Sequence, residues 1–138
     1  MSGAATEAVV GQALPEVVVG PVDRTRLVKY AGASGDFNRM HFDDEFARGG
    51  GFDAVIAHGM LSMAVIGQLL SRWAGPTSVR RIKVRFKAPT LLGETITARG
   101  EITALHVEGS QRTAEVRLWT ETRPGHTTLE GTATVALA

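Results

Sequence analysis

Three polar residues of the first half stand close together in sequence: Asp36, Asn38 and His41, preceded by Ser34 and Gly35. Ser, Gly, Asp and Asn favour turns, so the stretch is expected to be irregular, with side chains free to converge. A carboxylate and an imidazole at one point can take a proton from water and pass it on. Further along, Ile56-Ala57-His58-Gly59-Met60 leads from an apolar segment into a predicted helix. The first amides of a helix lack intrahelical acceptors and carry partial positive charge. Gly59 at that point lets a ligand come close to its N–H. These parts suit the addition of water across a C=C bond conjugated to a thioester. Such a reaction needs a base for the water, an acid to protonate C2, and a donor for the thioester oxygen on which negative charge develops.

The elements that must position these groups differ between the two halves. Pro15 to Val19 reads as a short strand. Asp23 to Ala33 reads as a helix with Asp23 as N-cap, and Asp43 to Arg48 as a further helical turn or two. His58 to Trp73, HGMLSMAVIGQLLSRW, is apolar nearly all round, with Ser62, Gln68, Ser71 and Arg72 its polar positions, so it is expected to be buried on most sides. It falls short of the roughly 20 apolar residues that a bilayer span needs. The second half alternates with period two over Val79 to Lys87, Thr95 to Leu105, Thr113 to Thr120 and Leu129 to Leu137. Breaks at Pro89 to Gly93, Glu108 to Ser110 and Arg123 to His126 imply an antiparallel meander. The fold class is therefore α+β, a single domain over residues 1–138, with a long antiparallel sheet curled around one central apolar helix. A helix held between the sheet and a partner subunit is the alternative.

The bulk numbers exclude several classes. The 138 residues suit one domain, and a net charge of 15 − 14 = +1 gives no global case for nucleic acid or an anionic membrane as partner. With no cysteine there is no disulfide, thiolate catalysis or cysteine-ligated metal. Asp36, His41, Asp43 and His58 are ligand types, but their spacing matches no usual zinc pattern, so no metal is expected. The opening MSGAATEAVVGQ does not read as a signal peptide, and a cytoplasmic enzyme is expected. The strand Arg80 to Lys87 carries five cations, expected to be balanced by Glu101 and Glu115 on neighbouring strands. A docking surface for coenzyme A phosphates or an acidic carrier protein is the sharper reading.

Tyr30-Ala31, Ser34-Gly35-Asp36, Asn38, His41, Asp43, Ala47, Phe52 and Ile56-Ala57-His58-Gly59-Met60 together resemble the signature of the MaoC-like (R)-specific enoyl-CoA hydratases. The resemblance extends to length and element order, with its specific part confined to Tyr30 to Met60. It implies a hot-dog fold and hydration of trans-2-enoyl thioesters to (R)-3-hydroxyacyl thioesters, or the reverse dehydration. It implies Asp36 and His41 as the catalytic pair, Asn38 as their orienting residue, and the Gly59 N–H as oxyanion donor. Ser62, Phe52 and His58 are weaker substrate-binding candidates; for His58, satisfying a buried helix start is the plainer role. No cofactor is implied beyond coenzyme A or acyl carrier protein as the substrate's carrier. A homodimer is expected, with a heterodimer alongside a related hot-dog subunit as the alternative. The sequence departs from the pattern at Arg39 and Met40, where a Pro and a small aliphatic residue are usual. Arg39 is thus free to contact the carrier, and Gly49 to Gly51 make the next connection permissive.

Two competing functions remain open on the residues alone. A hot-dog thioesterase usually relies on an acid on or near the central helix, and Met60 to Trp73 contains no Asp or Glu. A tunnel-forming subunit of a heteromeric dehydratase would leave the chemistry to its partner, which the presence of both Asp36 and His41 argues against.

Overall fold

The structure, a computed structural model, describes residues 7–138. The reading of Met1–Thr6 as part of no signal peptide therefore lies outside the described residues. Five strands form one antiparallel sheet: β1 (Val17–Val19), β2 (Val79–Phe86), β3 (Ile96–Glu108), β4 (Gln111–Arg123) and β5 (His126–Leu137), in the order β1-β3-β4-β5-β2. The expected meander holds for β3, β4 and β5, whose strands run further than the alternation indicated; β2 departs from it, pairing with β5 and not with β3. β3, β4 and β5 continue through polar residues to tight turns at Gly109 and Gly125, both with positive φ (62° and 76°). Inward positions are those of the period-two reading: Ile96, Ala98 and Ile102 on β3, Ala114, Val116 and Leu118 on β4, and Leu129, Ala133 and Val135 on β5. A register shift between Ile102 and Ala104 leaves Ala104 only half-buried.

The helices lie in the first half. In α1 (Arg24–Ser34) the Asp23 carboxylate caps the first turn by accepting from the Arg26 N–H at 2.8 Å, as the sequence suggests. α2 (Asp44–Gly49) is capped in the same way by Asp43, which accepts from the Phe46 N–H at 3.1 Å. α3 (Gly59–Ala74) lies against the sheet and buries Leu61, Val65, Ile66, Leu69, Leu70, Trp73 and Ala74. Each large apolar side chain removed from water contributes roughly 2 kcal/mol. Among the described residues no helix is long and apolar enough to cross a membrane.

α3 is buried on most sides, as expected, with one exposed stripe: Met60 is 51% exposed, and Ala64 and Gln68 on the same side are also exposed. One expectation needs correction. The cations of β2 are not balanced by Glu101 and Glu115. β2 is an edge strand paired to β5 alone, while Glu101 lies on β3 beside Arg117 and Glu115 on β4 accepts from Thr134. Glu130 on β5 lies opposite Arg85 and pairs with Lys87 at 3.5 Å; Arg81, Lys83 and Arg85 form no ion pair among the described residues.

Gly131 lets β5 lie tightly between β2 and β4. A Cβ at this position would run into the Lys83 carbonyl oxygen and come within 2.8 Å of the Val84 Cα, both backbone atoms that cannot step aside. Gly131→Ala is expected to cost about 2 kcal/mol, read as a fall in melting temperature of roughly 5 °C. An unchanged melting temperature would contradict this packing.

Candidate active site

The pair is set by how two short segments end. α1 stops at Gly35, which takes the left-handed conformation (φ 75°) and donates its N–H to the Ala31 carbonyl at 2.9 Å. The chain then turns sharply, with the Asp36 N–H bonded to Ser34 Oγ at 3.2 Å and the Asn38 N–H to Asp36 Oδ1 at 3.1 Å. Asn38 caps a short 3₁₀ turn, Arg39–His41: its Oδ1 accepts from the Met40 N–H at 3.1 Å, and its carbonyl accepts from the His41 N–H at 3.1 Å. Asn38 is thus tied to Asp36 through its N–H and leads into His41 through its carbonyl. Arg39 is occupied within the loop. Its guanidinium bonds the Asp43 carboxylate at 2.8 Å, holding that carboxyl below the usual range, and lies 4.7 Å over the Phe46 ring.

His41 is buried, and its Nδ1 lies 2.7 Å from the Ile56 carbonyl oxygen. A carbonyl only accepts, so Nδ1 carries the hydrogen and Nε2 presents a lone pair. Nε2 stands 3.8 Å from Asp36 Oδ2, on a carboxylate side chain that is 48% exposed. That is too long for a direct hydrogen bond. Two acceptors at this separation flank a space in which one water can donate a hydrogen to each.

α3 begins beside this pair. His58 occupies the N-cap position but makes no side-chain cap, and the Gly59 N–H has no acceptor among the described residues. A cavity of about 400 Å³ is lined by His41, His58, Gly59, Ser62 and Phe86, with Thr90 and Thr128 further along. Ser62 is buried and lines this cavity one turn into α3. Phe52 is not brought to this cavity; it packs in the turn after α2, its N–H bonded to the Ala47 carbonyl at 3.1 Å. Phe86 is the residue that sequence reasoning missed. Its ring lies over Gly59, so that a Cβ there would stand 3.0 Å from Phe86 Cε1. Ile82, Val84 and Phe86 fall on one face of the alternating strand, but only the fold shows that strand ending over α3.

Asp36, His41 and His58 offer ligand atoms within 4.8 Å of one another. The rings of His41 and His58 are stacked, 3.7 Å between centroids and 21° between planes. Imidazole lone pairs lie in the ring plane, so stacked rings send them side by side and not to one metal. The arrangement suits proton transfer.

The comparisons with known proteins agree. The MaoC like domain matches residues 5–123. The chain belongs to the MaoC-like domain family. It is 34% identical over 116 residues to the (R)-specific enoyl-CoA hydratase of Rhodospirillum rubrum, covering 83% of this chain and 78% of that protein. It is 30% identical over 99 residues to the 3-oxo-4,17-pregnadiene-20-carboxyl-CoA hydratase beta subunit of Mycobacterium tuberculosis, covering 71% of this chain and 76% of that protein. Among solved structures, the (R)-hydratase from A. caviae involved in PHA biosynthesis superposes with a TM-score of 0.80 at 28% identity, covering 96% of this chain and 98% of that one. The hot-dog fold and the hydro-lyase class expected from the sequence are both borne out.

The packing over Gly59 gives a double-variant test. Gly59→Ala is expected to destabilise by about 1 kcal/mol where Phe86 is present, and to be neutral or stabilising in a Phe86→Ala background. Equal effects of Gly59→Ala in both backgrounds, read by denaturant unfolding, would separate the glycine from the ring.

Proposed function

We propose that this chain adds water to trans-2-enoyl thioesters to give (R)-3-hydroxyacyl thioesters, and catalyses the reverse dehydration, with Asp36 and His41 as the catalytic pair. The observation that carries this reading is the His41 Nε2 lone pair facing the Asp36 carboxylate across 3.8 Å beside an unsatisfied helix start. The thioester carbonyl accepts from the Gly59 N–H. A water held by Asp36 Oδ2 and His41 Nε2 loses a proton to the pair as its oxygen bonds to C3. The electrons of the C=C bond move towards the thioester oxygen, where the Gly59 N–H and the positive end of α3 offset the developing charge. The pair then returns a proton to C2. Atoms balance with water alone, so the reaction calls for no cofactor. The (R) configuration rests on the names of the relatives.

The Ser62 hydroxyl and the Phe86 ring are the further substrate contacts in this reading, and Phe52 is not among them. We read residues 1–138 as one such domain. Arg81 and Lys83, which face Thr134 and Thr132 across the strand pair and no acid, suit an anionic carrier such as coenzyme A or acyl carrier protein. The uncovered side of α3 and the unpaired edge of β2 support a dimer. Phe37, Phe42, Met60 and Phe86, each next to a site residue in sequence or in space, are at least half exposed and suit cover by acyl chain or partner. A heteromer is the second reading, favoured by the likeness to a hydratase beta subunit.

Asp36→Asn and His41→Ala are each expected to lower kcat on crotonyl-CoA by roughly 10³-fold or more, with circular dichroism unchanged. Near-normal hydration by both variants would overturn the proposal, and release of free coenzyme A in place of hydration would turn it towards a thioesterase. A solution mass near twice 14.7 kDa for the purified, active chain is the homodimer's expected result; a monomer without activity would favour the heteromer.

A further inference from the structure

His58 is a buried titratable residue that the proton transfers above do not use. Only 1% of it is exposed. It sits at the N-cap of α3, yet spends no side-chain atom on the helix amides, so satisfying the helix start does not explain it. Its Nε2 instead lies 3.1 Å from the backbone carbonyl of Asp36, which can only accept, so Nε2 carries the hydrogen. Nδ1 is then a bare lone pair, and it is buried without a partner. One face of the ring stacks on His41 at 3.7 Å, and Tyr30 meets it edge-on at 4.8 Å. Burial pushes the His58 pKa down, and the neighbouring His41 adds to the fall against the opposing pull of Asp36. The ring is therefore neutral, and one flat neutral group touches both members of the pair.

We propose that His58 is a positioning residue that holds Asp36 and His41 in register for proton transfer, by its Nε2–H on the Asp36 carbonyl and its ring against the His41 imidazole. The proposal rests on the hydratase reading. It deepens it by assigning to His58 neither substrate binding nor helix capping. Its orphan Nδ1 is what remains when the ring's single hydrogen is committed to Asp36. Charging His58 would give Nδ1 a hydrogen with no acceptor and set two cations face to face whenever His41 takes its proton. A displacement of about 1 Å at reacting groups is enough to cost roughly 10²-fold in rate.

The test uses three variants of the full chain on crotonyl-CoA. His58→Gln keeps an N–H at similar reach without the ring, His58→Phe keeps the ring without the N–H, and His58→Ala loses both. A positioning role predicts that His58→Ala lowers kcat by about 100-fold with KM within threefold, and that His58→Gln and His58→Phe each recover about 10-fold of that loss. Nitrogen-15 NMR of the wild-type chain is expected to find His58 neutral with its hydrogen on Nε2. A folded His58→Ala with kcat within threefold of wild type would overturn the inference, as would a hydrogen on Nδ1 or a charged His58 at neutral pH. Should none of the variants fold, the NMR result decides. A wild-type chain that hydrates nothing would sink the hydratase reading itself. An active wild type and an inactive Asp36→Asn beside an unaffected His58→Ala would sink only this inference.

Discussion

The hydrogen bond from His41 Nδ1 to the Ile56 carbonyl, 2.7 Å long and buried, is the constraint on which the site depends. It fixes the tautomer, and so decides that Nε2 is the basic nitrogen and that this nitrogen faces Asp36. It also joins two segments far apart in the chain, the 3₁₀ turn after α1 and the strap that enters α3. A second bond, from the Ile56 N–H to the Met40 carbonyl at 3.1 Å, makes the joint two-sided. The strap is held on its other side by the Ala57 N–H on the Thr90 carbonyl at 2.9 Å, which ties the site to the loop following β2. The turn, the helix start and the sheet are thus tied together through main-chain groups, with His41 Nδ1 the one side-chain atom among these bonds.

The sheet's part is to fix α3. The helix lies across the inward rows of β3, β4 and β5, whose Ile102, Val116, Leu118, Leu129 and Val135 are fully buried. An apolar interface of this kind is stiff, since interiors are packed as densely as organic crystals. The N-terminus of α3 is consequently a fixed point, and a dipole offsets a developing charge well only if it need not reorganise during the reaction. The exposed side of the same helix and the cationic edge of β2 lie away from this packing.

Much of this was legible in the sequence, for identifiable reasons. Alternation is enforced by the pleat, so the inward rows of the sheet could be named residue by residue. Asp36, Asn38 and His41 share one turn of chain, so local chemistry alone brought them together. What was not legible depended on pairings between distant segments. Glu101 and Glu115 were expected to meet the cations of β2 because consecutive strands usually neighbour; here β5 intervenes, and the acids sit one and two strands further in. The glycine at 59 was read as room for a ligand, whereas the space over its Cα holds the Phe86 ring, supplied by a strand edge no local pattern places there. Phe52 matched the motif, but the turn after α2 carries it away from the cavity. His58 matched as well, and its stack on His41 required the tertiary fold to be seen.

The central claim is that one water between Asp36 and His41 supplies both what adds to C3 and what returns to C2. The most direct measurement is hydration of crotonyl-CoA in deuterium oxide, with the configuration at C2 and C3 of the product resolved by NMR and chiral chromatography. Because the hydroxyl and the deuteron come from one pair on one face of the double bond, the account predicts syn addition and a single (R)-3-hydroxy product. Anti addition, a mixture at C2, or no addition at all would contradict it.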